Sequence, residues 1–468
     1  MTESTPRPKN VRAEALEILF DVHRRTGVFA QERVGVVSRQ EKLNKRDRRF
    51  LTELVFGVLR HRRTLDCVIR AHSRTKLDEI GPRALEALRL GVYQLLYLDG
   101  IPAFAAVGET VGVLRDPRAR PFVNGVLRGI DRGVRRVPLD QDRGGASPQK
   151  RLEIGGHKVC FFHDAVFADP VGDEAAYLAD VYSHPVEPVR RWLARHGSEA
   201  TKLLLARNQE PPPLFARVNC RKGTREQLLE KLRAEEIKCG EGNRPDSVLI
   251  AAPPTELIAS KAFTEGFCTV QDETAMKVAP ALAPQKGTLL LDLCAAPGGK
   301  TTHLAELTDD AATILAIDKE ETRIEKVREG IKRLGLTSIS CMVADATDEA
   351  AIKGVTPAPY DRVLLDAPCS NSGVLARRPE AKERLDAKNL GELVLLQQKL
   401  LATAVGRLFP GGLLAYSTCS IEPEENQQQI AALLANHRDL ELVSEEATLP
   451  TAGAGDGGYV AIVKKSPG

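Results

Sequence analysis

Two cysteines of this 468-residue chain lie where a reactive thiol could act. Cys369 is in the segment DAPCS and Cys419 is in STCS, and each follows a short apolar run. The thiolate is the reactive form, and a helix N-terminus or a cation such as Lys300 lowers the thiol pKa enough to form it. A lone cysteine is more often a small buried apolar side chain. Two at adjacent strand ends favour a reactive pair.

The segment DLCAAPGGKT, residues 292–301, is a glycine-rich turn between a predicted strand and a predicted helix. Its backbone N–H groups could approach a ligand, although a tight turn that needs glycine only for its backbone is the alternative. The turn lacks both phosphate-binding glycine spacings, so a phosphate site is not favoured. Asp318, Asp345 and Asp366 end the next three predicted strands, with Asp318 about 20 residues past the turn, where a carboxylate typically accepts ribose hydroxyls. We therefore predict a nucleoside pocket.

The elements that position these residues are short apolar strands alternating with helices. We predict strands over residues 289–294, 313–318, 339–345, 361–368 and 411–418, and helices over 321–335 and 393–408. This alternation is typical of a parallel sheet covered by helices on both faces. The carboxyl ends of parallel strands meet at one edge, which is where open sheets bind ligands.

The first third of the chain differs in pattern and in charge. Residues 11–135 have the apolar spacing of amphipathic helices, which predicts an all-α bundle. Residues 1–140 hold 27 Lys+Arg against 17 Asp+Glu, whereas residues 261–468 hold 22 against 29. A basic module that includes Lys45, Arg46, Arg48 and Arg49 favours a polyanionic partner, although basic surface can also serve solubility alone.

The middle of the chain predicts two further parts. Residues 139–180 are polar and rich in turn formers at their start, which indicates a linker or insertion; His157, Cys160 and His163 have partial metal-ligand spacing there, but no fourth ligand is near and we predict no metal. Residues 181–262 mix helices and strands, as in a small α+β subdomain. We therefore predict four segments: a helical domain over 1–138, the 139–180 insertion, the 181–262 subdomain and an α/β domain over 263–468.

Composition excludes several protein classes. Apolar residues make up 43% and charged residues 28%, which is ordinary globular composition. No stretch has the length of apolar residues that a membrane span needs, and the N-terminus has no secretory pattern. The nine cysteines include no CxxC pair, so we expect free thiols in the cytoplasm.

Three motifs carry a resemblance to a known family. DLCAAPGGKT, DAPCS and YSTCSIEPEEN, in this order, resemble the NOL1/NOP2/Sun family of RNA cytosine-5 methyltransferases over residues 266–468. Upstream, LRLGVYQLLYLDGIPAFAAVGETV and FVNGVLR resemble the NusB-like RNA-binding domain, and Arg217–Cys220 more loosely resembles the family's α+β subdomain. This arrangement is similar to that of the bacterial 16S rRNA cytosine-5 methyltransferases of the B type. It implies a NusB-like bundle, a small α+β subdomain and a Rossmann-like methyltransferase domain.

The resemblance also implies roles for individual residues. Cys419 would be the nucleophile that adds to C6 of cytosine, Cys369 would assist product release, and Asp366 would hold the base. The cofactor would be S-adenosyl-L-methionine, bound by Cys294, Ala295, Ala296, Pro297, Gly298, Gly299, Lys300, Asp318, Asp345 and Asp366. The partner would be 16S rRNA, free or in an early assembly state, with no DNA, no membrane and a monomeric enzyme.

The sequence departs from the family pattern at two positions. Asn371 stands where the family usually has glycine, and Glu383 where it often has tryptophan; we expect both to affect contacts with RNA rather than the reaction. Alternatives to rRNA methylation are cytosine-5 methylation of tRNA or, with less support, of DNA. A non-catalytic rRNA-binding assembly factor and a NusB-type antitermination role remain open as well.

Overall fold

The computed structural model describes residues 10–24, 29–40, 43–356, 359–450 and 455–467. The chain divides into two compact units. The first contains the described residues up to Glu210 together with Arg378–Glu383, and the second contains Pro211–Arg377 and the residues from Arg384 onward. No helix in the described ranges is long and apolar enough to cross a membrane.

The first unit is built mainly of helices, as the apolar spacing predicts. Its helices are α1 (Val11–Arg24), α2 (Ala30–Gln40), α3 (Lys45–His72), α4 (Pro82–Tyr97), α5 (Ala103–Gly112), α6 (Ala119–Gly133), α7 (Glu174–Val181) and α8 (Val186–Arg207). Asn44 caps α3 by accepting a hydrogen bond from the Asp47 N–H at 2.8 Å, and Pro82 begins α4. The apolar faces of α1 to α6 form one continuous core.

Residues 139–180, predicted as a linker or insertion, contain ordered elements that lie in the first unit. The strands β1 (Val134–Pro138), β2 (Arg151–Ile154) and β3 (Lys158–Phe162) form an antiparallel sheet in the order β1-β3-β2. Cys160, Phe162 and Phe167 are buried in the same core as the helices. The polar residues at the start of the segment favour a linker, and the apolar stretches of β2 and β3 are too short to predict strands clearly. Among the described residues, no cluster of His, Cys, Asp or Glu could hold a metal ion.

The second unit begins with a small α+β part, as predicted. Its strands β4 (Leu214–Val218), β5 (Cys239–Glu241), β6 (Ser247–Ile250) and β7 (Cys268–Val270) form an antiparallel sheet in the order β5-β6-β4-β7. The helices of this part are α9 (Arg225–Ala234), α10 (Pro254–Ala259) and α11 (Lys261–Thr264). Thr224 is the N-cap of α9 and forms a capping box with Gln227.

A seven-stranded sheet forms the centre of the second unit, in the order β10-β9-β8-β11-β12-β14-β13. Its strands are β8 (Leu289–Asp292), β9 (Thr313–Asp318), β10 (Ile339–Val343), β11 (Tyr360–Asp366), β12 (Leu408–Thr418), β13 (Leu440–Thr448) and β14 (Gly458–Lys465). The accompanying helices are α12 (Glu273–Met276), α13 (Val278–Ala281), α14 (Gly299–Leu307), α15 (Glu321–Leu334), α16 (Glu349–Val355), α17 (Ala387–Gly406) and α18 (Gln427–Asn436).

The sheet is mixed rather than wholly parallel. Strands β8 to β12 pair in parallel, as the alternation of strands and helices predicts. Strand β14 pairs antiparallel with β12, and β13 pairs antiparallel with β14 at the edge. One face packs on α13, α14 and α15, and the other on α16, α17 and α18. The described chain is therefore a Rossmann-like α/β core that follows an α+β part, together with a helical unit.

Candidate active site

The glycine-rich turn joins β8 to α14 and is held by backbone contacts. The Ala295 N–H donates to the Ile317 carbonyl at 2.9 Å, and the Gly298 N–H donates to the Ala295 carbonyl at 2.8 Å. Gly298 has a φ of 100°, and a Cβ there would lie 3.3 Å from the Cα of Val327. Glycine is therefore required at this position both for its conformation and for the close approach of α15.

Two of the predicted acidic residues lie at the end of β9 and just past β10. Asp318 is only 3% exposed, and its carboxylate accepts from the Ala296 N–H at 3.3 Å, which ties the end of β9 to the turn. Asp345 lies two residues beyond β10 and is exposed. It accepts from the Thr347 hydroxyl at 2.7 Å and from the Thr347 N–H at 2.8 Å, and these bonds lower the pKa of Asp345.

Lys300 and Asp366 form an ion pair beside the turn. Lys300 Nζ lies 2.6 Å from Asp366 Oδ2, and the Ser417 hydroxyl donates to Asp366 Oδ1 at 2.7 Å. Ser417 is adjacent to Asp366 because the two are register partners on β11 and β12. Burial lowers the pKa of Lys300, but the adjacent Asp366 carboxylate raises it by more, so the net pKa is raised. An electrostatic interaction with Cys419 acts in the same direction as Asp366.

The two predicted reactive cysteines face each other. The Sγ atoms of Cys369 and Cys419 are 3.2 Å apart, on the loops that leave β11 and β12. The hydrogen bond to Cys419, followed by burial, raises the pKa of the Cys369 thiol well above its usual range. The Cys369 thiol therefore stays protonated and can donate to Cys419, and Cys419 is the member of the pair that lies beside the Lys300 charge.

The loops that carry the cysteines are joined along their length. The Ile421 N–H donates to the Ser372 hydroxyl at 2.9 Å, and the Gly373 N–H donates to the Cys419 carbonyl at 3.0 Å. A Cβ on Gly373 would lie 2.6 Å from the Gly457 carbonyl oxygen and 2.9 Å from the Cys419 carbonyl oxygen. Because both contacts are with backbone atoms, only glycine fits where these segments meet.

Glu425 holds the loop that carries Cys369 through hydrogen bonds. Its buried carboxylate accepts from the Ser370 N–H at 2.8 Å, from the Ser370 hydroxyl at 2.5 Å and from Gln397 Nε2 at 3.0 Å. Burial raises the pKa of Glu425 against these hydrogen bonds. Glu425 therefore holds the loop that presents one of the two thiols.

A second buried carboxyl group lies at the start of the glycine-rich turn. Asp292 is 1% exposed and accepts from the Thr301 hydroxyl at 2.6 Å, which links the first residue of the turn to α14. Burial raises the pKa of Asp292 to about 7. Burial also raises the pKa of the neighbouring Cys294 thiol, so that side chain stays neutral.

The structure brings most of the predicted site residues to one edge of the sheet. Lys300, Asp366, Cys369 and Cys419 form one cluster, and residues 294–299 with Asp318 form the adjoining turn. Asp345 contacts neither group through the hydrogen bonds described above. The sequence did not single out Ser417, Glu425 or Asn371 as members of the cluster, and Asn371 was assigned to the RNA side. Ser417 joins the cluster as the register partner of Asp366. Glu425 and Asn371 reach it through contacts between loops, which no linear spacing reveals.

The chain is similar to known methyltransferase families and to solved structures. The family description "16S rRNA methyltransferase RsmB/F" matches residues 279–462, "NusB family" matches 9–132, and the ferredoxin-like domain of RsmF/B-like methyltransferases matches 184–255. The crystal structure of PH0851 aligns over 99% of this chain and 100% of its own with a TM-score of 0.79 and 24% identity, which shows a shared fold. A methyltransferase homolog from Pyrococcus horikoshii aligns over 63% of this chain and 99% of its own, with a TM-score of 0.56 and 25% identity.

Fold, site and matches together define an S-adenosylmethionine-dependent RNA methyltransferase. The probable ribosomal RNA small subunit methyltransferase B of Synechocystis sp. is 33% identical over 94% of this chain and 92% of its own length. The ribosomal RNA small subunit methyltransferase B of Proteus mirabilis is 32% identical over 91% of this chain and 92% of its own. The chain belongs to this family of ribosomal RNA small subunit methyltransferases B.

Proposed function

We propose that this enzyme methylates C5 of a cytosine in 16S rRNA through a covalent bond between Cys419 and C6 of the base. The observation that carries the proposal is the 3.2 Å separation of the Cys369 and Cys419 Sγ atoms beside the Lys300–Asp366 pair. The names of the relatives, which refer to the RNA of the small ribosomal subunit, support the choice of substrate. Lone structural cysteines would not need neighbouring acid and base groups.

The chemistry explains why a nucleophilic thiol is needed. C5 of cytosine is a weak nucleophile, and addition of the Cys419 thiolate to C6 makes C5 react like an enamine. S-adenosylmethionine, when bound, would supply an electrophilic methyl group: C5 would take it as the S–CH3 bond breaks, and S-adenosylhomocysteine would leave with the electrons of that bond. Water or another base then takes the C5 proton, the electron pair of the C5–H bond re-forms the C5–C6 double bond, and Cys419 Sγ leaves C6 with the electrons of the S–C bond.

The neighbours of the two cysteines favour different roles for them. Cys419 lies beside Lys300, whose positive charge stabilises a thiolate. Cys369 has a raised pKa and remains a thiol that can donate to Cys419. We assign Cys419 as the nucleophile and Cys369 as the group that assists product release. Asp366 would hold the cytosine ring and keep Lys300 in place.

The residues near the turn fit the proposed cofactor. We assign residues 294–300 to its methionine part, Asp318 to its ribose hydroxyls and Asp345 to its adenine. The fit rests on the chemistry of the acceptors, because both carboxylates lie at or just past the ends of neighbouring parallel strands, the buried Asp318 beside the turn. A carboxylate at such a strand end is the group that typically accepts ribose hydroxyls.

The substrate base must leave its stack to reach the cysteines, and single-stranded RNA releases a base at least cost. We propose that 16S rRNA is bound free or in an early assembly state, by a monomeric enzyme in the cytoplasm. The basic residues of the first unit would contribute a salt-dependent attraction to RNA. The sequence-based division at residues 138, 180 and 262 remains our proposal for the domain boundaries.

The test uses the purified enzyme with protein-free 16S rRNA, transfer RNA and labelled S-adenosylmethionine. We expect label in 16S rRNA alone, as 5-methylcytidine after digestion, and one bisulfite-resistant cytosine that disappears with the Cys419→Ala variant. Label in tRNA in place of rRNA would overturn the substrate. Label at another atom of the base would overturn the chemistry.

A further inference from the structure

Asn371 has an unusual backbone conformation within the loop that follows Cys369. Its φ is 62°, in the left-handed region that glycine occupies at no cost and that asparagine tolerates better than most residues. Glycine would therefore satisfy the backbone at this position. The asparagine side chain adds contacts that glycine lacks.

The carboxamide of Asn371 contacts both cysteine segments. Its Nδ2 donates to the Cys369 carbonyl at 2.9 Å, and the Cys419 Sγ donates to its Oδ1 at 3.3 Å. The orientation of the amide follows from chemistry, because a backbone carbonyl can only accept and must face the NH₂ group. The oxygen of Asn371 is thereby fixed toward the thiol of Cys419.

We propose that Asn371 is a positioning residue for the nucleophile, which ties Cys419 to the Cys369 loop and keeps its proton on Sγ in the enzyme without RNA. This inference rests on the proposed function only in that Cys419 is taken as the nucleophile. An acceptor on a thiol favours the neutral form, whereas a donor or a cation favours the thiolate. Asn371 is thus set against Lys300, which acts on Cys419 in the opposite sense.

The other groups that act on Cys419 belong to residues that a substitution at position 371 does not alter. Cys369 faces it at 3.2 Å from the loop after β11, Lys300 acts on it from α14, and Asp366 is bonded to Lys300. Changes in the thiol that follow substitution at residue 371 alone therefore report on the carboxamide.

The experiment measures alkylation of Cys419 by iodoacetamide in the full-length enzyme without RNA, from pH 6 to pH 10, with the modified peptide quantified by mass spectrometry. Asn371→Gly accepts the backbone conformation and removes the acceptor. Asn371→Asp keeps an acceptor of the same shape but places a negative charge beside the thiol. Asn436→Asp, at the exposed end of α18, is the matched control for added charge. Binding of S-adenosylmethionine verifies that each variant is folded.

We expect the rate near neutral pH to rise roughly threefold to tenfold in Asn371→Gly and to fall by a similar factor in Asn371→Asp. The two variants should converge at high pH, where the thiol is fully ionised, and Asn436→Asp should match the parent. A merely structural role would change the accessibility of the thiol, and so the alkylation rate, at every pH. A pH profile identical to that of the parent, or a shift of both variants in the same direction, would overturn the inference. Because no RNA is present, these results stand apart from a failure of the proposed methyl transfer.

Discussion

Arg217 and Glu306 form a fully buried salt bridge between β4 and α14, with Nη2 and Oε1 2.8 Å apart. Arg217 also donates to the Gly299 carbonyl at 2.8 Å and contacts Gln271. The guanidinium therefore links the small antiparallel sheet directly to the first residue of α14. Because that residue belongs to the glycine-rich turn, the small α+β part supports the proposed cofactor site.

Removal of Glu306 should be strongly destabilising. Glu306→Ala leaves the Arg217 charge buried without its partner, which costs about 3–5 kcal/mol in comparable cases. Denaturant unfolding measures the loss, and Glu199→Ala, which removes the exposed partner of Lys202, should cost less than about 1 kcal/mol. Equal losses for the two variants would show that the buried pair is not a structural link.

The proposed cofactor contacts should be separable from RNA binding. Asp318→Ala and Asp345→Ala should each weaken S-adenosylmethionine binding by about 1–3 kcal/mol, since each removes a charge-assisted hydrogen bond. Calorimetry without RNA measures the affinity, and Glu349→Ala on the exposed surface of α16 is the control. Parental affinity in either Asp variant would remove that residue from the site.

Asp292 should make stability depend on pH. Its folded-state pKa of about 7 lies above the unfolded value of about 4. The protonated form is therefore favoured by folding, and its contribution is complete below pH about 4 and is lost as the pH rises through about 7. As the pH rises from 4 to 8, the free energy of unfolding should fall by roughly 2–4 kcal/mol less in Asp292→Asn, which cannot ionise, than in the parent. Parallel stability curves for the two proteins would contradict a buried carboxyl of this kind.

The basic residues at the start of α3 should contribute to RNA affinity through charge. Replacing Lys45, Arg46, Arg48 and Arg49 by Gln should weaken binding to rRNA fragments and lower the slope of log affinity against log salt by about 3. Cofactor binding should not change. Lys353→Gln with Lys388→Gln, on exposed helices of the second unit, tests for a nonspecific effect of charge. An affinity that does not vary with salt would show that the surface is only solvated.

The sequence predicted the central sheet well because strand and helix alternate with clear apolar runs. The predicted strand 313–318 has the observed bounds, and 339–345 extends two residues past the observed end at Val343. Strand β13 was not predicted because its residues are almost all exposed at the sheet edge. Strand β14 is a continuous apolar run that the sequence could have revealed.

Site residues that lie at or just past the end of a strand could be predicted from the sequence. Site residues that join the cluster through contacts between loops could not. Asp366 is the last residue of β11, and Cys369 and Cys419 follow β11 and β12, so the sheet alone brings them together. Asn371 and Glu425 join the cluster through loops that fold back on each other. Their sequence neighbours carry no pattern that would predict these contacts.

The two cysteines provide the most direct test of the account. Cys369→Ala should still allow Cys419 to attack, but product release should be impaired, so enzyme should accumulate on RNA. Cys419→Ala should abolish methyl transfer and every covalent bond to RNA, and the double variant should behave like it.

The measurement is a denaturing gel of each variant with labelled 16S rRNA, with and without S-adenosylmethionine. We predict a slowly migrating protein–RNA band for Cys369→Ala that requires S-adenosylmethionine and is absent from the double variant. A trapped band with Cys419→Ala would reverse the two roles. Full methylation activity in Cys419→Ala would contradict the covalent mechanism itself.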